Sequence, residues 1–121
     1  MNYWADDAVT YAQELVQRFG PDDWSRLRHV WASRPMEWQQ RCAEALGWGE
    51  PREAAPILID MLQSTDEELV TAAADSLRSV RRAGGAVHLP TSAELRLRAI
   101  ADDKGGPVAT VLRDLLASDR G

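Results

Sequence analysis

Leu58-Ile59-Asp60-Met61-Leu62-Gln63-Ser64-Thr65-Asp66-Glu67-Glu68-Leu69-Val70-Thr71-Ala72-Ala73-Ala74-Asp75-Ser76-Leu77 decides the fold, because the same pattern stands 31 residues earlier. Leu27, Val30, Trp31 and Ser33 fall on Leu58, Met61, Leu62 and Ser64. Trp38, Cys42, Ala43, Glu44 and Leu46 fall on Leu69, Ala73, Ala74, Asp75 and Leu77. Past the glycine-bearing segment 83–90 the shift becomes 39 residues. Leu58, Met61 and Leu62 then meet Leu97, Ile100 and Ala101, while Asp75 and Leu77 meet Asp114 and Leu116. The segment therefore reads as an insertion of eight residues. A helix-pair unit recurring at this length implies stacked hairpins, each burying its apolar face on the next.

Working outward, the signals are helical throughout. Ala5, Ala8, Val9, Ala12, Leu15, Val16 and Phe19 follow the i, i+3, i+4, i+7 spacing of one helix face, which predicts a helix from Trp4 to Phe19 stopped by Gly20. Pro21-Asp22-Asp23 opens a second helix with Trp24, Leu27, Val30 and Trp31 on its apolar stripe. A third starts at Pro35 and carries Trp38, Cys42, Ala45 and Leu46 on one side, and Gly47 and Gly49 break it. A fourth spans Pro51 to Leu62. Thr65 with Glu68, and Thr91 with Glu94, read as capping boxes that open the fifth and sixth helices. Gly105-Gly106-Pro107 separates the sixth from a last helix that ends near Ala117. No stretch alternates as a strand does. Residues 1–121 thus form one all-α domain of about seven helices.

Two runs resemble a known family. Arg41-Cys42-Ala43-Glu44-Ala45-Leu46-Gly47 followed by Glu50-Pro51-Arg52-Glu53-Ala54-Ala55-Pro56-Ile57-Leu58-Ile59-Asp60-Met61-Leu62 looks like a HEAT-like repeat of the short bacterial, lyase-type kind. Asp66-Glu67-Glu68-Leu69 through Ala72-Ala73-Ala74-Asp75-Ser76-Leu77 continues it. The resemblance covers Pro35 to Val80 well and the rest weakly. Trp48 departs from it, because a large apolar ring takes a turn position usually held by a polar or aliphatic residue. The resemblance implies a right-handed α-solenoid that serves as a binding scaffold. It also implies that the second helix of each pair lines the concave side, which places 21–31, 51–62 and 91–104 on the inside of the curve.

Charge and composition exclude several classes. With 14 Lys+Arg against 19 Asp+Glu the net charge is -5, so a nucleic-acid partner is disfavoured. The single cysteine, Cys42, rules out an internal disulfide framework, and with His29 and His88 it falls short of a four-ligand Cys/His zinc site. No apolar run is long enough to span a membrane, and the N-terminal residues lack the pattern of a signal peptide, so a cytoplasmic protein is expected. Thirteen of the 14 basic residues are arginine, which suggests a high-GC bacterial genome. No nucleophile, acid/base pair or phosphate-binding loop emerges. Cys42 sits at a repeat position matched by Ala73 and reads as core filler. Neither a catalytic role nor a cofactor is expected.

The remaining signals concern binding. The polar face of the inner helices carries Asp22, Arg26 and His29, then Glu53, Ile57 and Asp60, then Arg96. Trp48, between Gly47 and Gly49, stands at the edge of that stripe as a candidate anchor. The expected function is binding of one protein partner. The resemblance points to an immunity protein that neutralises a cognate bacterial toxin, whose basic cleft an acidic surface would attract. A scaffold or chaperone-type module holding a client protein is the alternative. A small-ligand regulator or enzyme subunit using Arg78, Arg81, Arg82, Arg96 and Arg98 is a third reading.

Overall fold

A computed structural model of the chain describes residues 16–118. Among these residues there are six α-helices and no strand: α1 (Pro21–Val30), α2 (Met36–Leu46), α3 (Pro51–Met61), α4 (Glu67–Arg82), α5 (Thr91–Lys104) and α6 (Gly106–Ser118), with a 3-10 turn at Trp31–Ser33. Most of the N-terminal helix expected from Trp4 to Phe19, Trp4 itself, and the chain end beyond Ser118 lie outside the described residues. No described helix is long and apolar enough to cross a membrane.

Helix α4 occupies the centre. Its sixteen residues have the strongest amphipathic pattern among the described helices, and Leu69, Val70, Ala73, Ala74, Leu77 and Val80 are buried along it. Glu67 and Glu68 lie in its first turn and Arg81 and Arg82 in its last, so both ends complement the backbone dipole. Its cap is Asp66, not Thr65: the Asp66 carboxylate accepts from the backbone N–H of Leu69 at 2.8 Å. The neighbouring Ser64 hydroxyl accepts from the Asp66 N–H, which turns the chain one residue later than the Thr65–Glu68 pattern implies. The second expected box also shifts. Pro90 takes the N-cap position of α5 and Thr91 is already helical.

Helices α2 and α6 flank α4 on either side, α3 packs heavily on α4, and α5 packs heavily on α6. By contrast, α2 and α3 touch little, although only a short turn joins them. Several residues matched by the 31- and 39-residue shifts share their burial, whereas Val30, Trp31 and Trp38 are half-buried where Met61, Leu62 and Leu69 are fully buried. Leu27, Leu58 and Leu97 are all buried, as are Cys42 with Ala73, and Leu46, Leu77 and Leu116. These side chains form one continuous core running from Val16 to Leu116. Trp24 belongs to it, while Trp31 and Trp38 are half-buried at its margin. The Arg34 guanidinium lies over the Trp38 ring, 5.7 Å from its centroid.

The eight-residue segment between α4 and α5 is held down at both ends. Val87 and Leu89 are buried, and Arg81 donates to the carbonyls of Val87 at 3.1 Å and Leu115 at 3.0 Å. One guanidinium thereby ties the insertion and the end of α6 to α4.

Candidate functional site

A groove of about 1160 Å³ runs along the outer face of α4. Its floor is a row of short side chains on that helix, Thr71, Ala72, Ser76 and Ser79, flanked by the carboxylates of Glu68 and Asp75. Glu44, Gly47 and Trp48, from the end of α2 and its following turn, form one wall. Ile100 and Lys104 of α5 and Val108 and Val111 of α6 form the other.

Two close approaches put Trp48 in that wall. Gly47 lies so near α4 that a Cβ there would come 3.1 Å from the Ser76 hydroxyl. Ser76 itself is buried and donates its hydroxyl hydrogen to the Ala43 carbonyl. At Gly49 a Cβ would fall 2.5 Å from Val16 and 2.8 Å from the Trp24 ring. The turn is therefore held close on both sides of Trp48, whose residue is left 56% exposed.

The groove is acidic. Glu44, Asp66, Glu67, Glu68 and Asp75 supply five carboxylates against the one ammonium of Lys104. Glu67 contacts that ammonium at 3.1 Å, and this hydrogen bond and charge hold the Lys104 pKa above its usual value. Asp66 is spent on its cap and on Gln40, whose amide donates to it at 3.1 Å. Asp75 accepts from Arg78 at 2.9 Å but keeps a side chain 66% exposed. Glu44 and Glu68 are exposed and make no ion pair or hydrogen bond among the described residues.

Of the residues expected from sequence to bind a partner, Trp48 alone lines this groove. The others sit on α1, α3 and α5. Asp22, Arg26, His29 and Asp60 are exposed there, and the His29 Nδ1 donates to the Ser25 carbonyl at 2.7 Å. Glu53 accepts from Arg28 at 3.1 Å. Arg96 donates to the Ser64 carbonyl at 2.7 Å, tying α5 to the end of α3. Ile57 is a correction: it is 1% exposed and belongs to the core, because α3 is buried on a wider arc than the Leu58–Leu62 stripe. The groove is lined mainly by α2, α4 and α6, with α5 adding Ile100 and Lys104, whereas the stripe expected from sequence lies on α1, α3 and α5. Among consecutive helices, α3 packs tightly with α4 and α5 with α6, while α2 and α3 touch little.

What sequence reasoning missed was the face of α4 itself. The signal was present in Glu68, Thr71, Ala72, Asp75 and Ser79, a run of small or acidic residues at helical spacing opposite the buried stripe. Cys42 is fully buried, and burial pushes its thiol pKa far up, which disfavours the thiolate. Among the described residues no group of His, Cys, Asp and Glu side chains could hold a metal ion. Comparison with protein-family models, with curated proteins and with solved structures finds no match to this chain.

Proposed function

We propose that the chain is a protein-binding helical-repeat module of the HEAT-like kind, a short α-solenoid whose α4 groove takes up one protein partner. The observation that carries this reading is the exposed Trp48 ring set beside a broad acidic groove. Large aromatic side chains at a groove margin are the usual anchors of protein interfaces. Five carboxylates around it select a basic partner and speed its approach.

Within that class, an immunity protein is the version we favour. Toxins that act on nucleic acids or nucleotides carry basic clefts, and a small rigid acidic surface both attracts and covers such a cleft. The chain's net charge of -5 agrees in sign.

The test is purification of the tagged chain from its native cell, wild type beside Ala72→Arg, which fills the groove floor with a cation. One basic protein recovered in stoichiometric amount with the wild type and lost with the variant supports the module. Growth arrest by that protein alone, relieved by co-expressing this chain, supports immunity. Equal recovery by both forms refutes the groove. A groove-dependent partner without toxicity makes the chain a scaffold for a client protein instead.

A further inference from the structure

The repeat places one carboxylate at the same position in each unit: Glu44, Asp75 and Asp114. In the structure these belong to α2, α4 and α6, three helices side by side. Between the second and third, Arg78 bridges the gap. Its guanidinium contacts Asp75 at 2.9 Å and Asp114 at 2.7 Å. The position equivalent to Arg78 in the preceding unit, 31 residues earlier, is Gly47. Close packing on Ser76 leaves no room there for a larger residue without displacement. Glu44 and Asp75 both line the groove, and among the described residues no cation bridges the two.

The residue after Gly47 is Trp48. An aromatic face beside two carboxylates is the environment a guanidinium prefers: its plane stacks on the ring while its N–H groups reach both acids. Glu44 and Asp75 are adjacent in sequence to Ala43 and Ser76, which are hydrogen-bonded to each other, so the two helices meet at this level. Asp75 uses one oxygen on Arg78 and retains acceptor capacity on the other.

We propose that the groove recognises an arginine of its partner, which enters between Glu44 and Asp75, stacks on Trp48, and repeats across α2 and α4 the bridge that Arg78 makes across α4 and α6. This rests on the groove being the partner site. The arginine is carried by a helical segment. The small side chains of Thr71, Ala72 and Ser79 allow such a helix to lie close to α4.

The experiment titrates the isotope-labelled chain with a synthetic amphipathic helical peptide bearing one central arginine flanked by leucines. A sister peptide carries citrulline there, which keeps the shape and removes the charge. The arginine peptide should bind at least about tenfold more tightly and shift the Trp48 indole resonance. Glu44→Gln should erase that advantage without changing the melting temperature, because Glu44 is exposed. A lysine peptide should fall between the two, since an ammonium is a point charge without a planar face. Equal affinity for arginine and citrulline, no effect of Glu44→Gln, or no binding of any peptide at low salt would overturn the proposal. Loss of the native partner on Ala72→Arg is read separately, so the arginine pocket can fail while the groove survives.

Discussion

Two stretches of the surface put their polar residues to different uses. On α1, α3 and α5, Arg28 reaches Glu53 across 25 residues and Arg96 reaches the Ser64 carbonyl across 32, so these side chains tie one helix to another. On α2 and the first turn of α4 the carboxylates Glu44 and Glu68 make no ion pair or hydrogen bond among the described residues, and the most exposed tryptophan described lines the same groove. Polar faces look alike in a helical projection. What separates a structural face from a binding face is whether its charges are already answered from within the chain.

Both stretches share one core, and breaking it removes the comparison altogether. Leu77→Asp on α4 and Leu58→Asp on α3 each put a carboxylate where the leucine is 0% exposed. An unpaired buried charge costs several kcal/mol, a large part of the stability of a domain this size. Neither variant should fold, and circular dichroism with thermal melting reads the result. A cooperative, wild-type-like melt for either would mean that the helices are not packed on each other as described.

Next in size is the contrast between the faces. Trp48→Ala should shorten the lifetime of the partner complex by a factor worth about 2 kcal/mol, roughly thirtyfold, with the melting temperature nearly unchanged. The double change Glu53→Lys and Asp60→Lys, on the other stretch, should leave that lifetime as it was. Surface-immobilised kinetics against the recovered partner measures both. The reverse outcome would move the site to α1, α3 and α5 and restore the face expected from sequence.

The contrast also explains what could be read before the structure. Helix positions and much of the core were legible because they depend on apolar spacing within a single helix, and Leu58, Ala73 and Leu77 are buried as that spacing requires. Trp48 stood out for a local reason, a large ring between two glycines. The groove was not legible, because it depends on which neighbouring helices form the tight pairs. Gly47 and Gly49 read only as helix breakers, although each is required by a close approach from a distant residue, Ser76 for one and Val16 with Trp24 for the other. Ile57 was misplaced for a related reason. A helix packed on two neighbours buries more than one stripe, and a single periodicity cannot count its neighbours.

A smaller effect separates core from chemistry. Cys42→Ala removes a sulfur from a fully buried site whose repeat equivalent is already alanine, Ala73. The loss should be about 1–2 kcal/mol of stability, with partner binding intact. Denaturant unfolding beside a binding assay checks it. Full loss of function in a folded Cys42→Ala protein would give the buried thiol a role that its raised pKa argues against.

The smallest effect lies at Lys104, the one cation on the groove wall among the described residues, which Glu67 holds at 3.1 Å. The contact raises the lysine pKa, so the folded chain binds that proton more tightly than the unfolded chain does. Its contribution to stability is therefore complete below the usual lysine range and is lost as pH rises through the raised value. Melting curves of the wild type and Lys104→Gln should differ slightly at neutral pH and converge in strong alkali. The pair is solvent-exposed, so the difference should shrink with added salt as well. Binding should respond in the opposite direction. Removing the ammonium frees Glu67 and leaves the five groove carboxylates with one positive charge fewer beside them, so a basic partner should associate faster with Lys104→Gln than with the wild type, most visibly at low salt. A variant that loses stability and gains association rate would show one charge serving the fold at the expense of the groove. Slower association would mean that the partner approaches α4 with acidic groups, against the sign that Glu44, Glu68 and Asp75 give this face.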